Sequence, residues 1–305
     1  MFFLVLFLVL VYNMQNVKGC VIFNPYYTDD GQAYVKRRLA DCFLKRGVTL
    51  ADLIPYAAAG FDKACLSPSV EKVDFAVFWD KDVLLAKYLE RNGIRVFNNS
   101  FVIETCDDKR KTYECLLSDT ACPVPLIPTV FSRLAFHPSE TGDAELLACV
   151  ESALGYPLVV KENVGSLGKQ VYLAQNRAEL EALHTRLFQI PHQFQRFVGA
   201  GGADTRVYTV GGRAVAAVRR TNAQSFISNA AQGGETARIE LADSLKALSE
   251  AVARALRLDF GAVDFLEENG RYFFLEANSN AYFKAAESLG LDIAGQIADH
   301  IIKNF

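Results

Sequence analysis

Short apolar runs alternate with helical patterns in the first hundred residues, and this alternation constrains the fold more than any other feature of the chain. Gly19–Asn24, Asp74–Trp79 and Ile94–Phe97 are predicted strands because each is short and nearly continuously apolar. Gln32–Arg46 and Asp82–Asn92 carry apolar residues at helical spacing, and a glycine follows each of them. Strands that alternate with helices predict an α/β domain built on a parallel sheet.

The last third of the chain has a different pattern, in which strands pair through short turns. The predicted pairs are Arg206–Val210 with Arg213–Arg219 and Phe260–Leu266 with Tyr272–Ala277. A Gly-Gly turn separates the first pair and an Asn-Gly turn the second, and such residues are typical of hairpin turns. Further predicted helices are Asp107–Leu117, Glu145–Leu154, Arg177–Leu187, Asp243–Leu256 and Ile293–Lys303, and further strands are Pro157–Lys161, Val171–Ala174 and Gln193–Val198. Hairpins with flanking helices predict an α+β domain after the α/β one.

Charge and cysteine content exclude some classes of protein. The 305 residues carry a formal net charge of −3. A nucleic-acid-binding protein normally presents a basic face, so we expect no nucleic-acid partner. Seven cysteines occur at irregular spacing and without a C-x-x-C pair. This usage favours reduced thiols and a cytoplasmic protein over a disulfide framework.

The chain begins with an uninterrupted apolar run from Met1 to Val11. A membrane-spanning helix needs about 20 apolar residues, and a secretory signal needs a basic start and a small-residue cleavage site. Neither pattern is clear, although a membrane anchor or a poor signal peptide stays an alternative. We favour a start of translation at Met14, with residues 1–18 as an apolar leader or a mis-assigned start, and we expect no stable membrane insertion.

Two acids and an amide on the second hairpin are the strongest candidates for chemistry. Glu276 and Asn278 lie two residues apart on one strand and therefore share a face. Asp264 lies on the partner strand, and pairing it with Glu276 requires an odd-numbered loop or a bulge near Asn269-Gly270. Like charges side by side in an apolar hairpin favour a divalent cation such as Mg²⁺ or Mn²⁺ between them. The alternative is an ordinary polar strand surface that faces solvent.

A lysine at a strand end is followed by a loop with two glycines. Lys161 ends its predicted strand, and Gly165 and Gly168 follow. Lysine supplies a point charge for phosphate, and glycines let backbone N–H groups approach phosphate oxygens. The order differs from that of a P-loop, because here the lysine precedes the glycines. The alternative is a strand end with a flexible loop.

Arginines on the first hairpin form a third feature. Arg206 follows Asp204, and Arg219-Arg220 ends the hairpin. Arginine recognises phosphate or carboxylate through paired hydrogen bonds of fixed geometry. Adjacent strand residues point to opposite faces, so we expect only one arginine of the pair to reach a site. A solvated surface pair is the alternative.

The order of these features resembles the ATP-grasp superfamily, and most closely its RimK-like branch of glutamate-adding ligases. The matching segments are Lys109, VVKENVGSLGK (159–169), QRFV (195–198), ADTR (203–206), AAVRR (216–220), SNAAQGG (228–234), VDF (263–265) and LEAN (275–278). The resemblance extends from about Asn98 to Ile302, and less specifically to the preceding α/β domain. It implies an α/β domain at residues 19–105, followed by a two-lobed α+β ATP-grasp domain with lobes at 106–192 and 193–305.

The resemblance also implies a role for each matched residue. The implied ATP contacts are Lys109 and Lys161 on the phosphates, Gly165, Ser166 and Gly168 in a mobile loop over them, Gln195, Arg196, Phe197 and Val198 at an adenine-binding hinge, and Asp204 near the nucleotide. Arg206, Arg220 and Asn229 would hold the γ-phosphate or an acyl phosphate, and Asp264, Glu276 and Asn278 would bind two Mg²⁺ or Mn²⁺ ions.

The implied reaction is ATP-dependent activation of a carboxylate as an acyl phosphate, followed by amide formation with an amine. The implied partners are ATP, a carboxylate and an amino-acid amine such as glutamate, and a homo-oligomer stays open. The alternatives are an ATP-grasp ligase that makes a dipeptide or a natural product, and a nucleotide-binding regulatory protein without turnover.

Three segments depart from the family pattern. Arg196 stands where the hinge commonly has an acid, and Gly199-Ala200 stands where an acid usually follows the hinge. Ser279–Lys284 replaces the small residues and Pro-Gly that usually follow the metal-binding asparagine. These departures concern the adenine, ribose and acceptor contacts.

Overall fold

The computed structural model describes residues 17–26, 29–53, 73–137, 143–166, 168–199, 201–228 and 234–305. The predicted start at Met14 and the predicted site residue Asn229 lie outside these ranges and stay predictions. None of the helices within the ranges combines the length and apolarity that crossing a membrane requires.

Twenty-two helices and strands follow one another along the described chain. They are β1 (Lys18–Phe23), α1 (Asp30–Leu44), β2 (Thr49–Leu53), β3 (Phe75–Trp79), α2 (Val83–Arg91), β4 (Arg95–Phe97), α3 (Ser100–Asp107), α4 (Lys109–Ser118), β5 (Thr129–Phe131), α5 (Ala144–Leu154), β6 (Leu158–Glu162), β7 (Val171–Ala174), α6 (Arg177–Leu187), β8 (His192–Arg196), β9 (Ala203–Val210), β10 (Arg213–Thr221), β11 (Glu235–Ile239), α7 (Asp243–Ala255), β12 (Phe260–Glu268), β13 (Arg271–Asn278), α8 (Lys284–Ser288) and α9 (Ile293–Asn304). The sequence patterns predicted all of them except β2, α3, β5, β11 and α8.

Three sheets organise these elements. The first has the strand order β2-β1-β3-β4 and is parallel throughout. The second has the order β5-β8-β6-β7 and the third the order β11-β10-β9-β12-β13, and both are antiparallel. The prediction of a parallel α/β domain followed by a two-lobed α+β domain is confirmed.

The parallel sheet is buried on both faces, which explains its continuous apolar runs. Val21 and Val77 pack into a core that includes α1 and α9. Ile22 and Phe78, one position along each strand, pack against α2 on the other face. Because successive side chains of a strand alternate between faces, a strand covered on both sides cannot tolerate polar positions.

Aromatic stacking and one buried amide join the first domain to the five-stranded sheet. The Trp79 ring lies parallel to the Phe260 ring, with 5.1 Å between centroids. Asn98 is fully buried just after β4, and its amide nitrogen donates to the carbonyl oxygens of Phe260 at 2.9 Å and Ser279 at 2.8 Å. Its amide oxygen accepts from the backbone N–H groups of Asp259 and Phe260.

Replacing Asn98 with alanine should lower the free energy of unfolding by about 3 kcal/mol, because four buried backbone groups lose their partner. Urea denaturation measures the change, and Asn304→Ala at the exposed end of α9 should cost less than about 0.5 kcal/mol. A loss below about 1 kcal/mol for Asn98→Ala would show that the buried amide is not what joins these segments.

Candidate active site

The carboxylates of Asp264 and Glu276 lie opposite each other on β12 and β13, as predicted. Asn278 shares the face of Glu276, and its amide nitrogen lies 3.3 Å from Glu276 Oε1 and 3.4 Å from Asp264 Oδ2. The three side chains therefore converge and do not form a solvent-facing strand surface.

The bulge that permits this pairing lies beside the acids and not near the turn. Asn269 and Gly270 have φ angles of 52° and 73°, which fit a regular two-residue hairpin turn and introduce no offset. The register shifts between Asp264 and Phe265, so that Leu275 is the extra residue. The predicted position near Asn269-Gly270 is wrong, because the offset needed by the acids is supplied where the acids are.

Two arginines, Arg206 on the adjacent strand β9 and Arg220 on β10 beyond it, bind Asp264. Arg206 donates from Nε to Oδ1 at 2.8 Å and from Nη2 to Oδ2 at 2.6 Å. Arg220 Nη2 donates to Asp264 Oδ2 at 3.0 Å, and Arg220 Nε donates to Asp204 Oδ1 at 2.6 Å. Arg219 points away and pairs with Glu267 at 3.1 Å. The prediction that one of the adjacent arginines reaches the site is confirmed for Arg220.

The two buried acids of this cluster have opposite pKa shifts. Burial alone would raise the pKa of Asp264, but Arg206 and Arg220 outweigh it and lower that pKa. Burial and the negative charge of Asp264 raise the pKa of Asp204, and together they outweigh Arg220, which lowers it. The difference follows from the number of guanidinium groups, because Asp264 contacts two and Asp204 contacts one.

Lys161 lies on β6 of the antiparallel four-stranded sheet and faces the cluster of acids and arginines across the cavity. It is only 7% exposed. Its Nζ donates to Gln195 Oε1 at 2.7 Å. The nitrogen of the same amide donates to Tyr113 OH at 2.8 Å and to Thr129 Oγ1 at 3.0 Å, which holds the oxygen towards the lysine. Burial lowers the pKa of Lys161 to about 8, Lys109 contributes to the lowering, and Glu276 opposes it.

Lys109 lies beside the glycine loop that follows β6. Its backbone N–H donates to Asn163 O at 3.0 Å, and its Nζ lies 3.5 Å from Gly165 O. The backbone N–H of Ser166 donates to the Gln170 side chain at 3.2 Å. The structure thus brings Lys109, Lys161 and the glycine loop together, and the mobility of the loop stays a prediction.

The segment 195–198 connects the two antiparallel sheets. Arg196, which replaces the usual acid, lies 3.0 Å and 3.2 Å from the two Glu268 oxygens. The backbone N–H of Gly199 donates to the same carboxylate at 3.2 Å. The arginine is therefore neutralised by an acid at the end of β12, which also anchors the chain as it enters the next lobe.

These groups surround one cavity of about 1020 Å³. The predicted residues that line it are Lys109, Lys161, Gly165, Ser166, Gly168, Gln195, Arg196, Phe197, Val198, Asp204, Arg206, Arg220, Glu276 and Asn278. Asp264 does not line the cavity, because it is fully buried behind its two arginines. Leu266 and Leu275 add apolar surface to the wall that carries Glu276.

The donor set fits a hard divalent cation only in part. Glu276 and Asn278 face the cavity with carboxylate and amide oxygens, the ligand types that Mg²⁺ prefers. Both Asp264 oxygens accept hydrogen bonds from guanidinium groups, and Asn278 directs its nitrogen at both acids. Asp264 can join a metal site only if the arginines move aside. Within the described residues, no cluster of three His, Cys, Asp or Glu side chains is arranged for a metal.

Sequence reasoning missed the side of the cavity that the first domain forms. Asn24 and Asp80 follow β1 and β3 and line it, together with Gln32, Trp79 and Lys81. Ligands of open parallel sheets bind beyond the carboxyl ends of the strands, so polar residues just after two predicted strands were a usable signal. The segment 280–288 closes the same end.

Comparison with known proteins places this architecture in a family. The RimK-like ATP-grasp domain matches residues 106–301, and the chain belongs to that family. A crystal structure of a RimK domain ATP-grasp protein from Sphaerobacter thermophilus DSM 20745 superposes with a TM-score of 0.69 at 20% identity, over 94% of this chain and 100% of that one. At that identity the likeness concerns the fold alone.

Two curated relatives are more similar in sequence. Beta-citrylglutamate synthase B of Danio rerio is 32% identical over 245 residues, which are 77% of this chain and 58% of that protein. N-acetylaspartylglutamate synthase A of Homo sapiens is 32% identical over 228 residues, 72% of this chain and 56% of that protein. The chain therefore spans somewhat more than half the length of these relatives.

The burial of Lys161 should appear in the pH dependence of stability. Below about pH 8 Lys161 is protonated in both the folded and the unfolded state, so burial of the charged ammonium destabilises the folded state in full. Between about pH 8 and the ordinary lysine pKa only the unfolded state holds it, so the wild type gains stability as pH rises. The free energy of unfolding of Lys161→Met relative to the wild type should therefore fall by about 2 kcal/mol from about pH 7 to about pH 9.5.

Parallel urea titrations of the wild type and Lys161→Met at several pH values measure this difference. Lys246→Met, on the exposed face of α7, is the matched control and should show no such slope. A stability difference for Lys161→Met that does not change with pH would contradict the lowered pKa.

Proposed function

We propose that this protein is an ATP-dependent carboxylate–amine ligase that forms an amide through an acyl phosphate. The observation that carries the proposal is the cavity itself. Lys161 reaches it from β6 of one antiparallel sheet and Lys109 from the start of α4, while Arg206, Arg220 and Glu276 reach it from the other antiparallel sheet. Cations on two facing walls suit a triphosphate, because positioning and charge neutralisation dominate phosphoryl transfer.

The proposed nucleotide contacts follow the walls of the cavity. Lys109, Lys161 and backbone N–H groups of the loop at Gly165, Ser166 and Gly168 bind the phosphates. The adenine lies at the hinge of Gln195, Arg196, Phe197 and Val198, with Asp204 nearby. Leu266 and Leu275 offer apolar surface on which a base packs.

The chemistry has two steps. A carboxylate oxygen of the first substrate attacks the γ-phosphorus of ATP, the bond to the β-phosphate oxygen breaks, and ADP leaves. A neutral amine then attacks the acyl carbon, the carbon–oxygen bond to phosphate breaks, and the amine proton passes to solvent. Arg206, Arg220 and Asn229 hold the transferred phosphate, and Arg220 stabilises the oxyanion of the tetrahedral intermediate. Glu276 and Asn278 would hold two Mg²⁺ or Mn²⁺ ions that neutralise phosphate charge, and Asp264 would join them once Arg206 and Arg220 have turned to the phosphate.

The names of the two curated relatives support glutamate as the amine substrate, since both products contain it. A cytoplasmic location and domain limits at residues 19–105, 106–192 and 193–305 belong to the same proposal. Closure of the loop at Gly165–Gly168 over bound ATP would exclude water, which otherwise hydrolyses an acyl phosphate.

ADP release should require both a carboxylate and an amine. A coupled assay of the purified protein with ATP and Mg²⁺, screened over amino acids and carboxylated metabolites, measures the dependence. Equal ADP release with either substrate omitted would contradict coupling. Tight ATP binding by calorimetry without turnover on any pair would favour the regulatory alternative.

Replacing Glu276 with glutamine should lower kcat at least about 100-fold, because the substitution removes a carboxylate that would hold the metal ions neutralising the phosphate charge. Glu267→Gln is the matched control, because Glu267 pairs with Arg219 outside the cavity and its loss should change kcat less than about twofold. Circular dichroism verifies that both variants fold. Full activity of Glu276→Gln would remove the acid from the mechanism.

A further inference from the structure

One end of the cavity is formed where the first domain meets the segment after β13, as the contact of Trp79 with Phe283 shows. Asn24 and Asp80 border this end from the parallel sheet, and Asn280 and Lys284 border it from the other side. The nucleotide contacts proposed above use none of these residues. This end is therefore available to a substrate.

Lys284 differs from the other cations of the cavity in having no partner within the described residues. Lys81 pairs with Asp107, Lys109 contacts Gly165 O, Lys161 contacts Gln195, Arg196 pairs with Glu268, Arg206 pairs with Asp264 and Arg220 pairs with Asp204 and Asp264. Lys284 lines the same cavity with no hydrogen bond or ion pair in the part of the chain that the structure covers. An unpaired ammonium facing a substrate cavity is a ready partner for an anion.

The backbone around Lys284 is held in place by its neighbours. Phe283 is fully buried, with its ring edge-on to Trp79 at 5.7 Å and to Tyr34 at 6.3 Å between centroids. Glu287, three residues on, accepts from Tyr34 OH at 2.8 Å and from Arg38 Nε at 2.7 Å. Both sides of Lys284 are thus anchored to α1, so the backbone from which this exposed side chain extends has a fixed position beside the cavity.

We propose that Lys284 binds the α-carboxylate of an α-amino-acid substrate and thereby selects α-amino acids over amines that lack this group. The inference rests on the proposed ligase activity. The carboxylate that is activated must lie near Arg220 and Glu276, so a carboxylate at Lys284 belongs to the amine substrate.

The local charge also limits how many negative groups this end accepts. Asp30 and Asp80 line it as well, and Asp80 already accepts from the Asn24 side chain and the Lys81 backbone. One unpaired cation beside two acids suits a single carboxylate and disfavours a polyanion. Asn280 offers an uncharged amide beside them.

The test compares L-glutamate with 4-aminobutyrate, which lacks only the α-carboxylate. Lys284→Ala should raise KM for L-glutamate about 10- to 100-fold, with kcat within about threefold, because a charge-assisted hydrogen bond to the substrate is lost. KM for 4-aminobutyrate should not change. Lys284→Arg should restore most of the affinity for L-glutamate, and Lys303→Ala at the far end of α9 should behave as the wild type.

A KM for L-glutamate that is equal in the wild type and Lys284→Ala overturns the assignment. So does a wild type that releases ADP only with amines lacking a carboxylate, although the ligase function then stands. Calorimetric titration of L-glutamate into each variant with a non-hydrolysable ATP analogue gives an answer independent of turnover. Equal binding by the two variants overturns the role of Lys284, and absence of ADP release by the wild type separately overturns the proposed function.

Discussion

The buried ionic contact of Asp264 with Arg206 and Arg220 is the interaction on which the rest of the site depends. A carboxylate removed from water is unfavourable unless opposite charges and hydrogen bonds compensate for it. Asp264 is fully buried, and both its oxygens accept from guanidinium groups on β9 and β10. Loss of either arginine would leave part of that charge uncompensated. The cluster therefore holds β9, β10 and β12 in one register and directs their polar side chains to one face.

Lys161 presents the opposite situation. Its ammonium is buried against a neutral amide, and burial lowers its pKa because the charge of Glu276 compensates only in part for the lost hydration. A triphosphate in the cavity would supply that missing negative charge. The arginines, in contrast, must exchange an existing carboxylate for a phosphate. The two walls of the cavity thus favour an anion in different ways. Lys161 does so as a cation whose charge is incompletely compensated, and the arginines do so by exchanging a carboxylate for a phosphate.

Much of the fold followed from periodicity alone, and the three missed strands share a cause. β5 is three residues long with all its side chains half-buried, and β11 is mostly exposed, so neither has an apolar run to reveal it. The mixed polarity of β2 concealed it as well. The bulge at Leu275 was placed wrongly because an Asn-Gly turn is equally compatible with regular and offset pairing until the facing strand is known.

In the candidate site, too, local geometry could be predicted from the sequence and contacts between distant residues could not. Glu276 and Asn278 could be placed on one face from their spacing, and one arginine of Arg219-Arg220 could be assigned inward, because strand geometry is local. The position of Asn24 and Asp80 after two predicted strands was a usable signal for one side of the cavity, but the approach of Lys284 to them was not predictable, since these residues are separated by up to 260 positions in the chain. The ion pair of Arg196 with Glu268 could not be predicted from the sequence either, because it joins the hinge to a strand in the other lobe.

The sequence by itself determined the order of strands and helices, the alternation of faces and the chemical types available for binding phosphate and carboxylate. These properties depend on residues a few positions apart, where backbone geometry leaves few choices. Only the tertiary structure decided which charges are paired: Asp264 is bound by two arginines, whereas Lys161 and Lys284 line the cavity without an ion pair among the described residues. The physical reason is that compensation of charge depends on distance in space, and the sequence specifies that distance only through the packing of the whole chain.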